Sequence, residues 1–357
     1  MITNLALENF RCFRSFSLPI QKKTVFLTGS NGQGKTSVLE AVFFLANLRS
    51  FRTLRTSEMI LDGESSFRIR AGVQLSSFTE QYEILCGEKR ILRIGGRNIS
   101  KSSEFAGVFR TVVFLPDDPV ILTGPSQVRR RFFDMFISMM DREYFRNLQR
   151  YSSALKSRNA LLRSGKTAPS VMEAWDDVLA CCGVSVVRSR ERYAALLCDF
   201  MRGILLEIRP ELSHFQIRMR TGKDSADQEM YRKKLFSLFE RDSKAGFTSY
   251  GPHADDFEFT VDGKPLRIYG SRGQCRMVSF VMKMAELDIV NSGSGESVVL
   301  VDDAVGDLDR RARKAFFEKI GKASQVFHAS TEPYDDFPFS DVQFVPISFS
   351  STGDCHV

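Results

Sequence analysis

The chain has 357 residues, of which 43% are apolar and 11% aromatic, enough for a buried core spread over two or so lobes. Its seven cysteines show no CxxC pair and no metal-ligand spacing, which argues against a disulfide framework or a zinc site and fits a reducing cytoplasm. A formal charge of +7 and a pI near 9.0 are compatible with nucleic acid, and with no apolar run of about 18 residues and no basic-then-apolar leader, neither a membrane span nor export is expected.

Along the chain, residues 5–10, 16–20 and 25–28 read as short strands. Pro19 cannot donate to a ladder, so the second of these is expected at a sheet edge. A glycine loop follows at once, then a helix, because Val38, Leu39, Val42, Phe43 and Leu45 recur at helical spacing. Alternation returns at 67–71, 81–85 and 91–94, punctuated by Gly87, Gly95 and Gly96, and predicts an antiparallel sheet portion. After 112–115 the pattern turns helical for more than a hundred residues, with one stripe of Phe132, Phe133, Phe136, Met139 and Met140. A second comprises Val171, Ala174, Trp175, Val178, Leu179 and Cys182. Strand signals resume near Gly246 and pass through 257–261; from Gly273 onward helix, strand, helix and strand alternate, with a flexible connector at 291–295. The expected architecture is an α/β unit from 1–115 and 246–357 carrying an inserted helical lobe, 116–245.

Charge is concentrated as well. Between 126 and 163 nine Lys/Arg stand against three acids, Asp134, Asp141 and Glu143, a net of +6. Arg129, Arg130 and Arg131 point about 100° apart on a helix and cannot share one partner, though one could pair with Asp134. Arg142, Arg146 and Arg150, at i, i+4 and i+8, would form a single basic ridge. It reads either as a solvated helix face or as a seat for a DNA phosphate backbone.

The sharpest chemical signal is the glycine loop, Gly29-Ser30-Asn31-Gly32-Gln33-Gly34-Lys35-Thr36, which satisfies GxxxxGK[ST] between an apolar strand and a helix. Glycines let backbone N–H groups converge on phosphate oxygens, and the helix N-terminus adds partial positive charge. Lys35 would reach the terminal phosphates of ATP, and the Thr36 hydroxyl would bind Mg²⁺. Val298-Val299-Leu300-Val301-Asp302-Asp303 is a wholly apolar strand ending in two acids, as expected where ligands gather at the C-terminal end of a buried parallel strand. Asp302 is then the metal partner and Asp303 the base that orients the attacking water; a helix-capping Asp pair is the blander alternative. Ser271-Arg272-Gly273-Gln274 opens a further helix. Ser271 reads either as a plain N-cap or, with Gly273 and Gln274, as an anion site acting on the nucleotide of a second subunit.

In order and content these stretches resemble the ABC-type ATPases of the SMC class, most closely the RecF family of bacterial recombination mediators. The resemblance is carried by Leu7-Glu8-Asn9-Phe10-Arg11, by the loop continued through Ser37-Val38-Leu39-Glu40-Ala41, and by Val113-Phe114-Leu115-Pro116-Asp117-Asp118. Arg129-Arg130-Arg131-Phe132-Phe133-Asp134, Gly251-Pro252-His253-Ala254-Asp255-Asp256, Ser271 to Gln274, and Asp302-Asp303 with Leu308-Asp309 complete it. It implies an ATPase head built from both ends of the chain, with an antiparallel sheet portion, and Ser37 and Arg11 among the nucleotide contacts. It also implies an ATP-dependent homodimer in which Ser271 and Gln274 cap the partner's nucleotide while the pair closes on single-stranded, gapped or junction DNA. RecR and RecO would be partners, in recombinational repair, replication restart and SOS induction.

Several positions depart from the family pattern or leave it open. Ala254 stands where arginine is usual, Gly306-Asp307 replaces Ser-Glu in the segment before Leu308-Asp309, and His328 reads either as a switch histidine or as a structural one. Asp303 stands where many ABC ATPases use Glu, one methylene shorter, which predicts a weak, DNA-stimulated ATPase serving as a switch. The ATP-binding subunit of a transporter is the competing class; a structural SMC protein would need heptads over hundreds of residues, for which the chain is too short.

Overall fold

The computed structural model describes residues 1–75, 78–105, 107–165, 169–222, 226–293, 295–306, 308–332, 337–349 and 355–356. From the N-terminus run β1 (Ile2–Phe10), β2 (Phe13–Pro19), β3 (Thr24–Thr28), α1 (Lys35–Asn47), β4 (Phe67–Gln74), β5 (Thr79–Cys86), β6 (Arg90–Ile94), β7 (Arg97–Ile99), α2 (Ser102–Phe105) and β8 (Arg110–Phe114). Next come α3 (Val120–Thr123), α4 (Ser126–Met140), α5 (Arg142–Ser164), α6 (Pro169–Ile208), β9 (Phe215–Arg220), α7 (Gln228–Ser237) and α8 (Phe239–Ala245). The chain closes with β10 (Asp256–Val261), β11 (Lys264–Pro265), α9 (Leu266–Tyr269), α10 (Arg272–Ser292), β12 (Ser297–Asp302), α11 (Arg310–Ile320), β13 (Gln325–Ala329), β14 (Val342–Pro346), β15 (Ser348–Phe349) and β16 (Cys355–His356).

The chain divides into two compact units, 1–117 with 287–357 and 118–286. The first holds a parallel five-stranded sheet, β14-β3-β13-β12-β8, and an antiparallel six-stranded sheet, β2-β1-β4-β5-β6-β7. Val298 to Val301 are all buried, as a strand covered on both faces requires, and β2 with its Pro19 lies at the edge of its sheet. Helix α1 is buried all round from Ser37 to Ala46 and packs on β1, β8, β12 and β13.

The second unit is helical but holds its own antiparallel sheet, β11-β10-β9. Strand β9 was not legible as a strand beside the long helices, and its pairing moves the boundary. Phe257 to Val261 pair with Met219 to Phe215, while α6 packs on β9 and α4 on β10. Residues 246–286, expected with the α/β unit, therefore belong to 118–286.

Within this unit two motifs that are separate in sequence form one clamp. Arg129 binds Asp256 bidentately at 2.6 and 3.0 Å, Arg130 donates to the Asp255 carbonyl at 2.6 Å, and Arg190 donates to the Pro252 carbonyl at 2.7 Å. Asp134, weighed above as a partner for the arginine run, accepts from Arg190 at 2.8 Å and from Tyr144. The second predicted stripe is also only half right, since Val171 and Ala174 are exposed whereas Met172, Asp176 and Leu179 are buried.

Candidate functional site

The glycine loop joins β3 to α1 in the first unit. Gly34 caps α1 with φ at 89°, and a Cβ there would lie 2.6 Å from the Phe13 ring and 2.8 Å from Cys12 Sγ; at Gly29, with φ at 144°, it would collide with the Ile347 carbonyl oxygen. Only glycine meets both demands, positive φ and close approach. Lys35 is 6% exposed, and its Nζ donates to the Gly29 and Ser30 carbonyls at 2.6 and 3.0 Å.

Strand β12 lies between β13 and β8, one strand away from β3, so Asp302 emerges on the same sheet end as the loop. Thr36 Oγ1 shares its proton between the two oxygens of Asp302, at 2.9 and 2.8 Å. Burial raises the Asp302 carboxyl above the ordinary range, opposed by the Thr36 hydrogen bond and reinforced by the charge of Asp303. Asp303 is exposed, adopts φ of 47°, and its N–H donates to the Ala329 carbonyl at 3.0 Å. Asn31, Gly32, Gly34, Lys35, Thr36, Ser37, Asp302 and Asp303 line one cavity of about 570 Å³, within the usual size of a small-molecule site.

The same cavity is lined by Arg11, Arg52, Glu58, Ile60 and Asp62. Behind it lies Glu40 of α1, fully buried. Its carboxylate takes Arg11 bidentately at 2.8 and 2.6 Å, Arg52 at 3.3 Å, and the Ser50 hydroxyl. Arg11 also donates to the Glu58 carbonyl at 2.5 Å. Arg11 thus reaches the cavity with its fork held by Glu40, whereas Arg52 makes one longer contact and is a second cation at the same wall. Sequence reasoning missed Arg52. The signal available was Glu40 itself, a carboxylate inside an otherwise apolar helix, which demands a cation from elsewhere.

Ser271, Gly273 and Gln274 belong to the second unit and are all exposed. Ser271 N–H donates to Gln274 Oε1 at 2.9 Å and Gln274 N–H to Ser271 Oγ at 3.2 Å, a reciprocal capping box at the start of α10. The plain-cap reading is therefore the geometry observed, with the pair's outer faces in solvent. Arg142, Arg146 and Arg150 are exposed on α5, and Ala254 is exposed in the turn after Gly251. His328 is fully buried on β13, stacked on Phe26 at 4.8 Å, and burial pushes its imidazole down to about 3, so it is neutral and stays out of the cavity lining. Gly306 is exposed and Asp309 caps α11 through Ala312 N–H, while Asp307 and Ser294 lie outside the described residues. No helix among the described residues is long and apolar enough to cross a membrane.

Comparison with known proteins gives one consistent result. The profile of the RecF/RecN/SMC N terminal domain matches residues 1–333. A DNA replication and repair protein RecF of Clostridium tetani is 32% identical over 326 residues, covering 88% of this chain and 89% of that protein. The RecF of Clostridium acetobutylicum is 34% identical over 330 residues, 89% of this chain and 90% of its own length. A solved structure of the recombination mediator protein RecF-ATPrS in the RecFOR pathway superposes with a TM-score of 0.85 at 28% identity, covering 99% of this chain and 97% of that one.

Proposed function

The chain belongs to the RecF/RecN/SMC N-terminal domain family, and from that premise we propose that it is an ATP-dependent DNA-binding protein of recombinational repair. The observation that carries the nucleotide part is the Thr36–Asp302 pair standing beside Lys35 at the glycine loop. A hydroxyl and a carboxylate within 2.9 Å of each other, at a helix start, suit one small hard cation between them and a phosphate chain. Mg²⁺ bound there would neutralise charge on the β- and γ-phosphates.

In this reading the backbone N–H groups of Gly29 to Thr36 cradle the phosphates, Ser37 supports them, and Lys35 exchanges its loop carbonyls for phosphate oxygens. Asp303 orients the attacking water. Arg11 and Arg52 supply positive charge at the far wall. Ser271, Gly273 and Gln274 act on the nucleotide of a second copy, so that ATP closes a homodimer on gapped or junction DNA and assists recombinase loading and SOS induction. RecR and RecO are the expected partners by family membership.

Turnover is slow in this proposal, because Asp303 is short and exposed and a misplaced base costs large rate factors. A steady-state rate on the order of 100 per second with DNA present would contradict it. The main test is light scattering and gapped-DNA binding with and without ATP. Lys35→Ala should lose nucleotide binding together with both responses. Ser271→Arg should keep nucleotide binding and lose dimerisation, and a Ser271→Arg protein that still dimerises on ATP would remove the in-trans role.

A further inference from the structure

Helix α5 turns an unusual face to solvent. Arg142, Arg146, Gln149, Arg150, Ser153, Lys156, Ala160 and Arg163 are all exposed, and at about 100° per residue the five cations fall within a stripe about 140° wide. No acid shares the stripe; Glu143 lies at its margin, and the buried side is formed by Tyr144, Tyr151, Ala154, Arg158 and Leu162. Among the described residues none of the five cations is within ion-pair distance of a carboxylate. The neighbouring helices are mixed: α6 shows Glu173, Asp177, Glu191 and Glu207, and Arg232 and Lys233 of α7 pair with Asp177 and Glu229.

A stripe of this kind is unfavourable in isolation. Like charges four residues apart repel, and Arg142 stands in the first turn, where the helix dipole disfavours a cation. An external polyanion relieves both. With about 1.5 Å rise per residue, Arg142, Arg146 and Arg150 are spaced by about 6 Å, and the stripe runs for about 32 Å, close to one turn of duplex. Its one aromatic side chain, Phe145 at the margin, is half-buried, so the stripe offers no exposed ring as a platform for unstacked bases, which favours a duplex over a single strand.

We propose that this face of α5 is a seat for the phosphate backbone of duplex DNA, bound without regard to sequence, with Lys156 and Arg163 extending the ridge beyond its first three arginines. The proposal rests on the DNA-binding reading above. It assigns that activity to one helix face.

The test is fluorescence anisotropy of a 30-base-pair duplex, long enough to span the whole stripe, in two unrelated sequences, over a series of KCl concentrations with ATP. Each phosphate contact contributes roughly 0.9 to the slope of log affinity against log salt. Replacing all five cations with Ala should reduce that slope by about 4 for both sequences, and Lys156→Ala with Arg163→Ala alone by about 2. A control removing five ion-paired surface cations, Arg192, Arg220, Arg232, Lys233 and Lys314, should change it by less than about 1. A five-fold variant that keeps its circular dichroism and ATP binding yet retains the wild-type slope overturns the proposal. So does a control that loses as much, or a wild type that prefers polyglutamate to duplex at equal salt. Absence of ATP-dependent duplex binding in the wild type would instead defeat the functional reading.

Discussion

Glu40 is the residue on which the cavity wall converges, and its burial makes its partners costly to lose. Removing one member of a buried, hydrogen-bonded charge set leaves the others uncompensated, typically at about 3–5 kcal/mol. Glu40→Ala is expected to lower unfolding stability by roughly 3 kcal/mol in urea titration, since Arg11 retains some solvent, and to weaken nucleotide binding through Arg11 and Arg52. A stable variant with unaltered ATP affinity would show that the set is structural only. His328 supplies a second prediction. Its folded imidazole is held neutral, down at about 3, against about 6.5 when unfolded. Its contribution is complete above pH 6.5 and is lost as pH falls through the window down to about 3. Between pH 7.5 and 5 the wild type should lose about 2 kcal/mol more stability than His328→Phe, which keeps the ring packing on Phe26 and Phe337; equal losses would refute the assignment. At this scale Lys35, Thr36 and Asp302 were legible because phosphate chemistry constrains their spacing. Arg52 was not, because its place depends on how 48–62 folds back onto Glu40.

Among the elements, those with a strong period were readable and those set by pairing were not. The apolar run of β12 and the glycine loop ahead of α1 declared themselves; β9, a six-residue strand among long helices, became a strand only through β10. Gln325 shows the same dependence. Buried at the start of β13, it accepts from Ile2 N–H and donates to the Ile2 carbonyl, each at 2.9 Å, fastening the start of β1 in one sheet to a strand of the other. Gln325→Leu would leave both groups of Ile2 without that partner in a dry interior. A loss of about 2–4 kcal/mol is expected, and hydrogen exchange should show early opening of β1. Unchanged protection of β1 would mean that its pairing with β2 and β4 suffices.

For the whole molecule, the sequence showed that a helical unit is inserted but put its end forty residues too early, because the sheet that closes it is made from distant segments. Residues 118–286 are continuous and carry their own core and buried network, in which Arg158 binds Asp176 at 2.6 Å and Asp242 at 3.1 Å. Expressed alone, this stretch should unfold cooperatively in calorimetry; a non-cooperative melt would show that its stability is borrowed. The capping box at its exposed corner has a consequence for association. Because Ser271 and Gln274 hold each other through the backbone, both side chains are already confined to one rotamer pair. The conformational entropy that a flexible contact surrenders on docking, about 0.5–1.5 kcal/mol per side chain, is lost here when α10 folds. Any molecule that meets this corner meets a surface already set.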